Sequence, residues 1–173
     1  HYLGLDPNST NTKDYEAAAA KMAEIRPYIT YFHSSRYISD LANGDICLTV
    51  GYSGDVFQAM ARAEEAENGV EIGYYIPSEG TALWSDMLAI PKDSKNVAEA
   101  HEFINFILDA QIGADITNYV WYGSPNMASR EFIDAEILED PGVYPPAGTE
   151  LFSFKVLPNK VKRVMTRTWT SIK

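Results

Sequence analysis

Apolar positions recur at helical spacing in several stretches of the chain, and most of these stretches are bounded by residues that start or stop helices. Tyr15, Ala18, Ala19, Met22 and Ile25 share one face of a predicted first helix, with Ser9, Thr10 and Asn11 as capping side chains before it and Pro27 just past its end. Tyr37, Ile38 and Leu41 predict a shorter helix over residues 35–43, and Gly44 can take the left-handed conformation at its exit. After Ser53 the positions Val56, Phe57, Met60 and Ala63 repeat the pattern until Asn68-Gly69 ends it. Asn96 with Glu99 three residues on announces a helix through Asp109, and residues 114–120 continue in helical spacing. Ser129 can cap a short helix through Leu138, and the tail 161–172 is amphipathic and basic.

Between these segments lie unbroken apolar runs of strand length. Residues 46–52 and 83–90 read as buried strands, and residues 70–76 are rich in β-formers. Pro77-Ser78-Glu79-Gly80 predicts a turn, Gly123-Ser124-Pro125-Asn126 a helix break, and residues 141–146 an irregular surface loop. Strands alternating with helices, without internal repeats, predict an α/β architecture with a largely parallel sheet. Ligands of such sheets sit beyond the carboxyl ends of strands, where Tyr52, Asp55, Trp84 and Asp86 would fall.

Composition narrows the function. At 173 residues, with 46% hydrophobic and 12% aromatic positions, the chain can bury a core of about one domain. Lys and Arg total 14 against 24 Asp and Glu, a formal charge of −10 that attracts cations and repels nucleic-acid phosphates, so no nucleic-acid partner is expected. Cys47 is the single cysteine, which excludes an intrachain disulfide, and its neighbours Ile46, Leu48 and Val50 predict a buried, inert thiol. No apolar run approaches the ~20 residues that span a bilayer. The chain opens on His1-Tyr2 without Met or a basic-then-apolar leader, which reads as a processed or truncated product. His1, His33 and His101 show no ligand spacing, so neither a metal site nor a cofactor is expected.

The candidate chemistry is aromatic and acidic. Gly51-Tyr52-Ser53-Gly54-Asp55 places a ring and a carboxylate at one strand end, Trp84-Ser85-Asp86 repeats the pair, and Tyr122 adds a third ring. An organic ammonium is attracted to a Trp or Tyr face by about 0.5–1 kcal/mol when exposed and more when desolvated. Carboxylates then fix the charge through short charge-assisted hydrogen bonds, so separated acids among rings suit an elongated amine. Plainer readings stand beside these: Asp55 as a first-turn carboxylate favoured by the helix dipole, and the rings as core. Asp86, inside an apolar run, would need a ligand or an arginine to answer it if buried. A serine-hydrolase alternative uses Ser53, Asp86 and His101, which follow in hydrolase order after a strand-turn-helix. Against it, Asp55 stands in the second glycine's place and His101 falls mid-helix. Lys160, Lys162, Arg163 and Arg167 read as a solvated helix face.

The wording Arg26-Pro27-Tyr28-Ile29-Thr30-Tyr31-Phe32, Tyr37-Ile38-Ser39-Asp40-Leu41-Ala42-Asn43-Gly44-Asp45-Ile46-Cys47, Ser53-Gly54-Asp55-Val56 and Met165-Thr166-Arg167-Thr168-Trp169-Thr170 resembles the polyamine-binding proteins of bacterial ABC importers, most closely the periplasmic putrescine-binding type. The resemblance implies part of a type II periplasmic-binding-protein fold, two lobes closing about a hinge, of which this chain is the C-terminal part. It places residues 1–66 and 131–173 in the C-terminal lobe and 67–130 in the N-terminal lobe. By it, Tyr52, Trp84 and Tyr122 form an aromatic cage, Asp55 and Asp86 meet ammonium groups, and Val156 lies near a wall position. Tyr52 departs from the usual Trp, and Trp84 stands where putrescine binders usually carry Phe and spermidine binders Trp, which leaves the choice of amine open. The implied partners are a small cationic ligand such as putrescine or spermidine and a membrane ABC permease, with association with the missing N-terminal segment a further expectation. The implied location is the periplasm, with the signal peptide outside this chain, and Cys47 would pair with a cysteine upstream of His1.

Overall fold

A computed structural model describes residues 1–173. In chain order its elements are α1 (Thr12–Ile25), α2 (Tyr37–Ala42), α3 (Ser53–Glu65), β1 (Thr81–Ala82), α4 (Val97–Ile107), α5 (Ala110–Val120), α6 (Ala135–Glu139), β2 (Leu151–Phe152) and α7 (Asn159–Ile172). Short 3-10 turns occupy Arg26–Tyr28 and Met127–Glu131. The residues divide into two compact units, one of His1–His33, Pro77–Trp84 and Thr149–Lys173, the other of Ser34–Ile76 and Ser85–Gly148. The lobe division expected near 66 and 130 is what the resemblance implies for a longer protein, whereas these units describe how the chain's own residues pack.

In the first unit, Asn11 starts α1 as expected, accepting a hydrogen bond from the Lys13 amide on its side chain. Helix α1 packs on α7, whose Val161 is buried while Lys160, Lys162, Arg163 and Arg167 stay exposed. Carbonyls in the last turn of a helix lack intrahelical donors. Arg26 supplies them to α7, its Nε donating to the Ile172 carbonyl at 2.8 Å and its Nη2 to that of Lys173 at 2.9 Å. Phe32 meets Trp169 edge-on with ring centroids 4.8 Å apart. Strands β1 and β2 pair in parallel, Thr81 opposite Leu151 and Ala82 opposite Phe152.

The second unit buries two clusters. Tyr37, Leu41 and Ala42 of α2 interlock with Val56, Ala59 and Ala63 of α3, on the stripe that the helical spacing predicts. Ala114 of α5 gathers Ile133, Ile137 and Val143, with Phe57 and Trp121 at the margin. Gly44 leaves α2 at φ +77°, the left-handed exit expected of it.

The sheet is far smaller than the sequence suggests. Residues 46–52, 70–76 and 83–90 form no strand of their own: apart from the Leu83 amide, which donates to the Phe152 carbonyl at 2.8 Å beside β1, they carry no ladder, and the only sheet is β1–β2. Apolar content can favour an extended backbone, but a strand exists only where a neighbouring edge meets its N–H and C=O groups. No other segment of this chain takes that place. Leu48 and Val50 are consequently 80% and 99% exposed, and Cys47, expected to be buried, is exposed as well. Ile46, Val70 and Ile72 still rest against the α2–α3 cluster.

Smaller corrections are local. The helix expected through Asp109 stops at Ile107, and Asp109 instead caps α5, accepting from the Gln111 and Ile112 amides. Ser129 caps nothing: it is fully buried in a 3-10 turn, close to Gly113 of α5, and α6 begins after Asp134. No helix is long and apolar enough to cross a membrane.

Candidate functional site

Asp55 is the third residue of α3, in the first turn, where partly bare backbone N–H groups favour a negative charge. Two phenols reach its carboxylate. Tyr37, from α2, donates to Oδ2 at 2.6 Å, and Tyr122, just past α5, donates to Oδ1 at 3.0 Å. An ionised carboxylate offers about four acceptor positions, so two hydroxyl donors leave roughly two for an incoming cation. The Tyr37 oxygen also accepts from the Tyr52 amide at 3.1 Å, tying the start of α3 to the same point.

The delivery of Tyr122 depends on an unusual turn. Helix α5 exits through Trp121 at φ +57°, a left-handed conformation that costs a bulky residue of order 1–3 kcal/mol. Trp121 offsets this by donating its amide to the Thr117 carbonyl at 2.8 Å and packing its ring, tilted by 38°, against Phe57 of α3, centroids 5.2 Å apart. The chain then reverses, so that Tyr122 lies against Gly54 and its hydroxyl reaches Asp55.

Burial, and next the hydrogen bond to Asp55, raises the pKa of both Tyr37 and Tyr122 well above the ordinary 10.0. Ionising either phenol would set a phenolate against a carboxylate in a partly dehydrated place. Since the folded state holds these protons more tightly than the unfolded one, their contribution to stability is complete below pH 10.0 and is lost as pH rises above it. Melting temperature measured across the alkaline range, beside the ultraviolet phenolate signal, is expected to show a decline beginning near that pH that is shallower in Tyr37→Phe. An equal slope in that variant would contradict the assignment.

Of the residues singled out from sequence, the structure joins Asp55 and Tyr122 directly, and Tyr52 to them through Tyr37. Tyr52 itself holds the N-cap position of α3 and is 48% exposed. Asp86 is also in the second unit but exposed, so the cost of an unpaired buried acid does not arise. Trp84 and Val156 belong to the first unit, 46% and 91% exposed. A cavity of about 630 Å³ in that unit is lined by Tyr2, Leu3, Tyr15 and Met22 among others and by none of the candidate residues. Tyr37 escaped the sequence reading, which used it only as a core position. The available signal was chemical: a buried tyrosine hydroxyl needs a partner, and an acid in the first turn of the following helix is one.

The hydrolase alternative finds no support in this geometry. A serine nucleophile needs a base within hydrogen-bond reach. Ser53 is the first residue of α3, whereas His101 is exposed in the middle of α4 and Asp86 lies on an exposed segment outside any helix or strand.

Comparison with known proteins follows the same line. Residues 2–145 match the family described as bacterial extracellular solute-binding protein. The chain is 49% identical over 175 residues to the putrescine-binding periplasmic protein SpuD of Pseudomonas aeruginosa, covering 100% of this chain and 48% of that protein. It is 48% identical over 176 residues to the putrescine-binding periplasmic protein PotF of Escherichia coli, with the same coverage of 100% and 48%. Among solved structures, a putative spermidine/putrescine ABC transporter from Listeria monocytogenes superposes with a TM-score of 0.81 at 29% identity, over 98% of this chain and 51% of that one. The spermidine/putrescine ABC transporter substrate-binding protein PotD from Streptococcus pneumoniae gives 0.73 at 26%, over 99% and 53%. The chain therefore spans about half the length of the curated relatives it matches, and its fold is part of a type II solute-binding fold.

Proposed function

Because the chain belongs to the bacterial extracellular solute-binding protein family, we propose that the complete protein is a non-enzymatic periplasmic receptor that captures putrescine or a related polyamine and delivers it to a membrane ABC permease. The observation that carries this is the Asp55 carboxylate, oriented by two phenols yet with acceptor positions left over, at a helix start whose N-cap tyrosine is half exposed. Fixed carboxylates and aromatic faces are what an alkyl ammonium requires. The net charge of −10 has the sign that gathers such ligands. The relatives named as putrescine-binding support the same ligand class.

In this reading Asp55 and Asp86 each meet an ammonium group, Tyr52, Trp84 and Tyr122 surround the methylenes, and Val156 lies near the wall. Residues 1–66 and 131–173 belong to the C-terminal lobe of the complete protein and 67–130 to its N-terminal lobe. In the complete protein the runs 46–52 and 84–90, which find no ladder partner here, take one from outside this chain, and Cys47 pairs with a cysteine upstream of His1. Binding acts as a population shift: the amine contacts both lobes only when they are closed, and that differential affinity moves the open–closed equilibrium.

The test is a thermal-shift and calorimetric panel of putrescine, cadaverine, spermidine and spermine on the complete protein. A saturable rise in melting temperature with at least one amine is expected. No response to any of the four would defeat the proposal.

A further inference from the structure

We infer that Tyr37 is a positioning residue for the amine site, one phenolic oxygen setting both the direction of the Asp55 carboxylate and the backbone that carries the Tyr52 ring. The inference rests on the receptor reading above, and its residue is assigned no role by the aromatic-acid pattern.

Tyr37 is 3% exposed, so it does not offer its ring to a ligand. Its hydroxyl is used in both senses, donating to Asp55 Oδ2 at 2.6 Å and accepting from the Tyr52 amide at 3.1 Å. Asp55 stands three residues after Tyr52, across the boundary between loop and α3. Tyr52 makes no side-chain cap of its own at this boundary, and its amide is met by the Tyr37 oxygen. The ring is itself gripped. It lies in the α2–α3 cluster with Leu41, Val56 and Ala59, and the backbone passes it so closely at Gly51 that an added Cβ would sit 2.7 Å from Tyr37 Cε2 and 3.2 Å from Val56 Cγ2. A side chain held by packing gives its terminal atom a fixed position, which is how a supporting group preorganises a charged contact. Tyr122 approaches the other carboxylate oxygen from α5, so the carboxylate plane is defined from two elements.

The experiment measures putrescine affinity of the complete protein carrying Tyr37→Phe, Asp55→Asn or both, by calorimetry and, for weak variants, by NMR shift titration. Phenylalanine keeps the packed ring and removes only the oxygen. Tyr37→Phe is expected to weaken binding by roughly tenfold to a hundredfold, the scale of a hydrogen bond to a charged group. In the Asp55→Asn background the same change should have almost no further effect, because there is no charge left to aim. Gly51→Ala, which presses on the same ring from outside, should weaken binding in the same sense and serves if Tyr37→Phe folds poorly. Unchanged affinity in Tyr37→Phe while Asp55→Asn loses binding would overturn the inference and leave the receptor reading intact. An equal loss in both backgrounds would overturn it too, since Tyr37 would then act on the fold and not through Asp55. A wild-type protein that takes up no putrescine or other polyamine removes the reading and the inference together.

Discussion

Asp55→Asn in the complete protein is expected to weaken putrescine binding by ~3–5 kcal/mol, the scale for taking one partner from a desolvated ion pair. At about 1.4 kcal/mol per tenfold, this is a loss of two to three orders of magnitude or more, which calorimetry reads directly. The expectation follows from what the variant retains and removes. The amide keeps the shape of the side chain and one acceptor oxygen, so one of the two phenols can still donate. Its nitrogen is a donor turned toward the other phenol or toward the ammonium, and the formal charge is gone. Stability should fall as well, by the loss of one phenol's hydrogen bond to a charged acceptor, about 1.5–3 kcal/mol, and by about 0.3–1 kcal/mol of interaction with the helix dipole. Full retention of affinity would show that Asp55 is merely a first-turn acid satisfied by its tyrosines.

Gly54→Ala is expected to damage stability and binding together. Gly54 is buried at the second position of α3, where any Cβ would intrude on the Tyr122 ring and come within 2.5 Å of the Val120 carbonyl oxygen. One obstacle is backbone and cannot rotate away, so either α3 and α5 separate or Tyr122 leaves its seat. Overpacking of this kind costs typically 1–3 kcal/mol. That favourable helix propensity of alanine, up to about 1 kcal/mol, does not offset it. Denaturant unfolding should report the loss of stability, and the displaced Tyr122 hydroxyl should lower amine affinity as well. A variant as stable as the parent would mean that the α3–α5 approach is looser than described.

Much of the helical architecture is legible in the sequence alone. The α1 stripe with its Asn11 cap, the α2–α3 stripe and the glycine exit after α2 all follow from local spacing and from side chains a few residues apart. Strands were not legible in the same way. Residues 46–52 and 83–90 have strand-like composition, yet what makes a strand is a partner edge, and that information lies outside the run itself. The same holds for Cys47, whose apolar neighbours suggested burial that their missing ladder does not provide.

The site divides along the same boundary. The sequence by itself determined the helix stripes, the acidic excess, the first-turn carboxylate Asp55 and the choice of Tyr52 and Tyr122 as rings of interest, because these depend on residue type and near-neighbour spacing. Only the tertiary structure decided that Tyr37 and Tyr122, 18 and 67 residues from Asp55, bracket its two oxygens. It also decided that a left-handed exit at Trp121 and the bare Cα of Gly54 make room for that convergence. Hydrogen bonds between distant residues follow from how helices pack, and packing depends on the shapes of many side chains at once, a quantity no local pattern along a chain contains.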